Sequence, residues 1–195
     1  MMSSIILNLS PAIRLTDDQF YEICQTNQDL RFERTASGDL IIMSPTGGES
    51  GQKEADIITD LNNWNRQKKL GVVFSSSTGF KLPKGGDRSP DAAWISLERW
   101  QSLSTTERKK FPPICPDFLI ELRSQTDDLE KLREKMQEYL DNGLRLGWLI
   151  DPQNRAVEIY RLGQVVELLS SPSTVSGEDI LPDFVLDLTS IFQEE

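Results

Sequence analysis

The segment PDFLIELRS, residues 116–124, decides how the rest of the chain is read. Phe118, Leu119, Ile120 and Leu122 suit a strand covered on both faces, as in a sheet sandwiched by helices. Glu121 interrupts that run, and a carboxylate that leaves water without a partner costs several kcal/mol, comparable to a domain's whole net stability. Arg123, two residues on, shares the Glu121 face of the strand. Glu121 therefore calls for a counter-charge: a salt bridge to Arg123 or to a lysine, or a bound cation at the end of the sheet.

Downstream, TDDLEKLREKMQEYLDNG (126–143) reads as a helix. Thr126 or Asp127 can cap it, Leu129, Leu132, Met136, Tyr139 and Leu140 form its apolar face, and Gly143 ends it. LGWLID (146–151) follows as a second apolar strand, so strand, helix and strand form a βαβ unit with parallel strands and a right-handed crossover. Upstream, a helix over about 49–69 carries Ile57, Ile58, Leu61 and Trp64 as one stripe. GVVFSSS, GFKL and DAAWI then read as short strands, and a helical segment spans about Leu97 to Leu103. The order αβββαβ over 49–150 predicts an α/β or α+β mixed sheet between helices. N-terminal to this core, TDDQFYEICQ (16–25) reads as a helix with a Thr16–Gln19 capping box, and RFERT with DLIIMS as a hairpin. C-terminal to it, AVEIYR and VVELL read as another hairpin, and PDFVLDLTSIF as a last strand and short helix. With no repeat, low-complexity tract or linker, residues 1–195 are expected to form one domain whose core spans about 45–152.

Composition narrows the chemistry. The chain contains no histidine, which removes Ser-His-Asp and Cys-His catalysis and most catalytic zinc sites. Acid–base work falls to Asp, Glu, Lys, Arg or Tyr. The net charge of −10 argues against a general nucleic-acid coat but leaves room for a basic groove on an acidic body. Cys24 and Cys115 have neither metal-ligand nor redox spacing, and the N-terminus lacks the basic segment of a signal peptide, so a reducing cytoplasm is the expectation. No apolar run reaches the ~20 residues a membrane span needs.

Asp91 opens DAAWI directly after Pro90, and Glu121 comes late in FLIEL. If those strands are neighbours, the two carboxylates converge at one sheet end, where they repel unless one is protonated or a cation lies between them. Magnesium suits such a place, because it seeks oxygen, keeps several waters and often takes only one or two protein carboxylates.

SPD (89–91) and IELRS (120–124) within αβββαβ resemble the PD-(D/E)xK nuclease pattern, with Arg123 in its lysine position. MSPTGGE (43–49), GFKLPKGGDRSPDAAWI (79–95), CPDFLIELRS (115–124), EKMQEYLDNG (134–143) and GWLIDP (147–152) resemble, in order, the Uma-type putative restriction endonucleases of that superfamily, formerly a domain of unknown function. The resemblance implies a restriction-endonuclease-like fold and a magnesium- or manganese-dependent endonuclease acting on DNA. It implies Asp91 and Glu121 as metal ligands, with the Leu122 carbonyl as a further one. The basic position would be Arg123 or a lysine on the following helix. At about 100° per residue, Lys135 flanks the apolar face whereas Lys131 points away from it, so Lys135 is the one able to reach inward; its alternative is a surface pair with Glu138. Arginine at 123 can clamp a phosphate but is a poor general base.

A helix acid completes the implied set. Glu49, matching the PTGGE position, comes first and Glu54, on the apolar stripe, second. Glu33 is either a further acid near the site or a partner of Arg31 or Lys81. Asp117 shares the phase of Glu121 but is expected to be a solvated strand opener. A nucleic-acid groove would use RQKK (66–69), Lys81, Lys84, Arg88 and RKK (108–110). Two other readings stand beside the nuclease: a catalytically silent nuclease-like module that binds nucleic acid or protein, and a dimeric scaffold using the hairpin at 156–168. A homodimer is expected in either enzyme or scaffold.

Overall fold

The computed structural model describes residues 4–10 and 12–193. The chain begins with β1 (Ser4–Leu7), α1 (Asp17–Thr26), β2 (Arg31–Arg34) and β3 (Leu40–Met43), then the long helix α2 (Gly48–Lys68). β4 (Gly71–Ser75), β5 (Phe80–Lys81), β6 (Asp87–Arg88) and β7 (Ala92–Ser96) follow, with two short helices, α3 (Leu97–Ser102) and α4 (Thr105–Lys109). β8 (Phe118–Leu122), α5 (Leu129–Asp141) and β9 (Leu146–Asp151) form the βαβ unit. The chain closes with β10 (Ala156–Arg161), β11 (Glu167–Ser170), β12 (Thr174–Ser176) and β13 (Val185–Asp187).

The larger sheet has the order β11-β10-β9-β8-β7-β4 and is mixed: β8 and β9 are parallel, and every other neighbouring pair is antiparallel. Its central strands β7, β8, β9 and β10 bury both faces, and alternate residues divide between two cores. Trp94, Phe118, Ile120, Trp148 and Ile150 face Ile57, Leu61 and Trp64 of α2 and the C-terminal Phe184 and Leu186. Ala93, Ile95, Leu119 and Leu149 face Met136 and Tyr139 of α5. Each fully buried Leu or Ile contributes about 1.5–3 kcal/mol, so the two stripes fix which side of the sheet each helix covers. Glu121 and Asp91 have the phase of Leu119 and Ala93, which directs both toward α5.

The smaller sheet has the order β1-β3-β2-β6-β5. GFKL, expected as a strand of the core, is instead diverted here: Phe80 and Lys81 pair with Arg88 and Asp87, and Arg34 pairs with Asp87. The core order αβββαβ is thus supplied by α2, β4, β7, β8, α5 and β9. The capping box of α1 forms as the sequence predicts. The cap of α5 does not: Asp128, rather than Thr126 or Asp127, accepts from the Glu130 N–H, because Asp127 is engaged by the backbone and hydroxyl of Ser124. Among the described residues, no helix is long and apolar enough to cross a membrane.

Candidate active site

The antiparallel register of β7 and β8 sets Ala92 opposite Ile120 and Ala93 opposite Leu119. Continued by one residue, it sets Asp91 opposite Glu121, where Cβ atoms of facing residues lie about 5 Å apart and like charges destabilise each other. Asp91 Oδ2 accepts the Leu122 N–H at 2.7 Å. Burial, and then the Glu121 charge, hold the Asp91 carboxyl well above the usual carboxylate range.

Glu121 is only 3% exposed, and Tyr139 and Lys135 of α5 serve its Oε1. The Tyr139 hydroxyl donates at 3.0 Å and the Lys135 ammonium lies at 2.8 Å. The same ammonium lies 3.0 Å from Glu33 Oε1 on β2, so one cation serves carboxylates from both sheets. Glu33, also 3% exposed, is further held by the Ser89 N–H at 2.9 Å and by Arg88 Nη1 at 3.0 Å. Arg88 Nε in turn donates to Glu138 Oε2 at 2.8 Å.

These neighbours decide the protonation states. Burial pulls the Lys135 ammonium down, but Glu121 and Glu33 outweigh it and hold the group charged. Burial pushes Glu33 up, yet Lys135 and Arg88 together bring its carboxyl below the usual range. Glu121 has less help: burial dominates Lys135, and its carboxyl stays raised. Around this point the four carboxyl groups of Asp91, Glu121, Glu33 and Glu138 meet two cations, Lys135 and Arg88, among the described residues, an excess of acids over bases to which Glu54 adds its field at Asp91.

That excess is what a divalent cation would relieve. Asp91 Oδ1 and Glu121 Oε2 have no hydrogen-bond donor among the described residues. No group of three or more His, Cys, Asp or Glu is arranged to hold a metal among the described residues. Two carboxylates nevertheless fit an ion such as magnesium, which draws most of its ligands from water.

The other expected residues are distributed differently. Arg123 forms no bridge to Glu121. Its Nη1 lies 2.9 Å from Asp151 Oδ2 at the end of β9, and its Nε donates to the Asp127 carbonyl at 3.3 Å. Glu49 lines a cavity of about 370 Å³ beside Lys53, Leu122, Arg123 and Gln153, whereas Glu54 is the helix acid whose charge is felt at Asp91. Glu33 pairs with Arg88 and Lys135, not with Arg31 or Lys81. Lys84 is exposed, while Lys81 pairs with Asp17.

Arg88, expected in a nucleic-acid groove, is a buried residue tied to Glu33 and Glu138, because its short strand lies between β2 and β5 instead of on a surface. Asp117, expected in solvent, is fully buried at the opposite end of β8; it accepts the Ser96 N–H at 2.8 Å and lies 2.9 Å from Arg99 Nη1. Two participants escaped the sequence reading: Tyr139 as a donor to Glu121 and Asp151 as the anchor of Arg123. Tyr139 had a usable signal, since it follows Lys135 by one helical turn and so lies on the same side of α5.

Comparison with known proteins agrees with this architecture. The family model Uma2, described as "Putative restriction endonuclease", matches residues 17–189. A crystal structure of a putative nuclease belonging to DUF820 from Anabaena variabilis shares the fold at a TM-score of 0.74, with 21% identity over 91% of this chain and 97% of that one. No curated protein matches.

Proposed function

Because this chain belongs to the Uma2 family of putative restriction endonucleases, we propose that it is a metal-dependent endonuclease that hydrolyses phosphodiester bonds of DNA. The observation that carries this reading is the Lys135 ammonium 2.8 Å from Glu121, beside an Asp91 whose charge couples to the same carboxylate. Asp91 and Glu121 would hold magnesium or manganese, with the Leu122 carbonyl within the same turn of chain. A divalent cation bound there supplies Lewis acidity toward a phosphate ester. Lys135, kept protonated by two carboxylates, neutralises negative charge developing on the phosphate oxygens and is not a general base. Exposed cations on an acidic body, Lys84 and the 66–69 run among them, would follow the DNA backbone.

The test is cleavage of supercoiled plasmid by purified protein with magnesium or manganese. Activity should be lost in Asp91→Ala and Glu121→Gln; cleavage persisting in both would overturn the assignment.

The pairing of Arg123 with Asp151 favours a second reading, a catalytically silent nuclease-like module. In that reading the motif's basic position is occupied by an arginine committed to a structural bridge. Calorimetric titration with manganese separates the two, since a silent module has no requirement for the metal.

A further inference from the structure

We propose that Glu33 is a positioning residue that anchors the Lys135 ammonium, so that Glu121 can exchange its share of that ammonium for a divalent cation. The inference rests on the Asp91–Glu121 reading above and extends the site to a residue of the smaller sheet.

The geometry is asymmetric. Lys135 Nζ lies between Glu121 Oε1 at 2.8 Å and Glu33 Oε1 at 3.0 Å. Glu121 also has Asp91 beside it, whose Oδ2 accepts the Leu122 N–H and whose carboxyl feels the Glu121 charge, so it is the carboxylate that a metal would claim. Glu33 lies on the far side of the ammonium, and its own position is fixed by Arg88 Nη1 at 3.0 Å and the Ser89 N–H at 2.9 Å. A buried ammonium that loses its only counter-charge is strongly disfavoured. With Glu33 present, Lys135 keeps one carboxylate when a cation engages the other. Without Glu33, every cation that binds Glu121 must strand a buried ammonium or expel it.

Manganese affinity is therefore the readout, measured by calorimetry on the full chain without DNA. Glu33→Gln should weaken manganese binding about tenfold, within the coupling expected of side chains in contact. The effect should work through Lys135. In a Lys135→Gln background, where no ammonium needs holding, adding Glu33→Gln should change the affinity by less than about twofold. Loss of one negative charge near the metal would weaken binding equally in both backgrounds, and that result would overturn the proposal. Glu33→Asp keeps the carboxylate while shortening its reach, so its affinity should fall between wild type and Glu33→Gln. Should Glu33→Gln fail to fold, an unchanged affinity in Glu33→Asp overturns the proposal on its own. Asp91→Asn serves as the control on the underlying site. If wild type takes up no manganese, or Asp91→Asn takes it up equally well, the site reading fails and Glu33 with it. If wild type binds through Asp91 and Glu33→Gln binds as tightly, only the role of Glu33 fails.

Discussion

Replacing Asp91 with asparagine should make the protein more stable while removing the proposed activity. Asp91 lies beside Glu121 at the end of the β7–β8 ladder, and its carboxyl is pushed up first by burial and then by that neighbour, so ionising it opposes folding. Asparagine is nearly isosteric with aspartate, and its side-chain carbonyl can still accept the Leu122 N–H that Asp91 Oδ2 accepts at 2.7 Å. Exchanging a charged acceptor for a neutral one costs about 1 kcal/mol. Removing a charge whose burial costs several kcal/mol returns more than that. The net gain should be about 1–2 kcal/mol, which in a chain of this size raises Tm by about 2–8 °C.

The sign can be checked against pH. A carboxyl whose folded pKa lies above its unfolded value binds more protons when folded, so it subtracts stability as pH rises from the ordinary carboxylate range through the folded pKa. The advantage of Asp91→Asn should therefore grow as pH rises above the ordinary carboxylate range and should vanish below about pH 4, where the unfolded aspartate is protonated too. Thermal melts followed by circular dichroism in EDTA, at a series of pH values, provide the assay. Magnesium should then act on the wild type alone, adding about 1.4 kcal/mol at ten times its Kd. A variant less stable than wild type at neutral pH would show that the Asp91 charge is satisfied within the protein, and the argument for a cation at this position would fall.

Arg88→Met should cost about 3–5 kcal/mol in urea titrations, because it leaves the buried Glu33 and the half-buried Glu138 carboxylates short of a partner; a loss under about 1 kcal/mol would refute the account of that network. Gly86→Ala should destabilise by more than about 1 kcal/mol, since φ is +88° and a Cβ there would lie 2.5 Å from Glu138 Oε1; an unchanged urea midpoint would contradict it. Burial pushes the Cys24 thiol up to about 11 and the Cys115 thiol up to about 12. At pH 8 the half-buried Cys24 should therefore label slowly with a thiol reagent and the buried Cys115 only as the protein unfolds, and fast labelling of Cys115 in the native state would count against its placement.

What could be read in advance depended on how local each cause is. The βαβ unit, the two long helices and the capping box at Thr16 follow from periodicity and capping chemistry within one stretch of chain. Helical phase was also enough to separate Lys135 from Lys131, because the direction of a side chain around a helix is a local property. The partner of that lysine was not local. Glu33 meets Lys135 from another sheet across about a hundred residues of sequence, and only the topology brings them together. The same lack made Arg88 look like a surface cation and Asp117 a solvated acid. Both are charged residues in short polar contexts, and nothing within a few positions says that a second sheet or a helix will close over them. Arg123 was misplaced for a related reason: Asp151 on the parallel neighbour, not Glu121, is the acid it reaches.

Helix α5 presents Met136 and Tyr139 to the larger sheet and, from the adjacent position, Lys135 to an acid of the smaller one. The two layers are therefore clamped by one element, and the N-terminal layer cannot lift without uncovering Glu33, Lys135 and Arg88 at once. Amide protons of β2 should accordingly exchange on the same slow clock as those of β8, and agents that loosen the N-terminal layer should silence the site before they melt the rest of the protein.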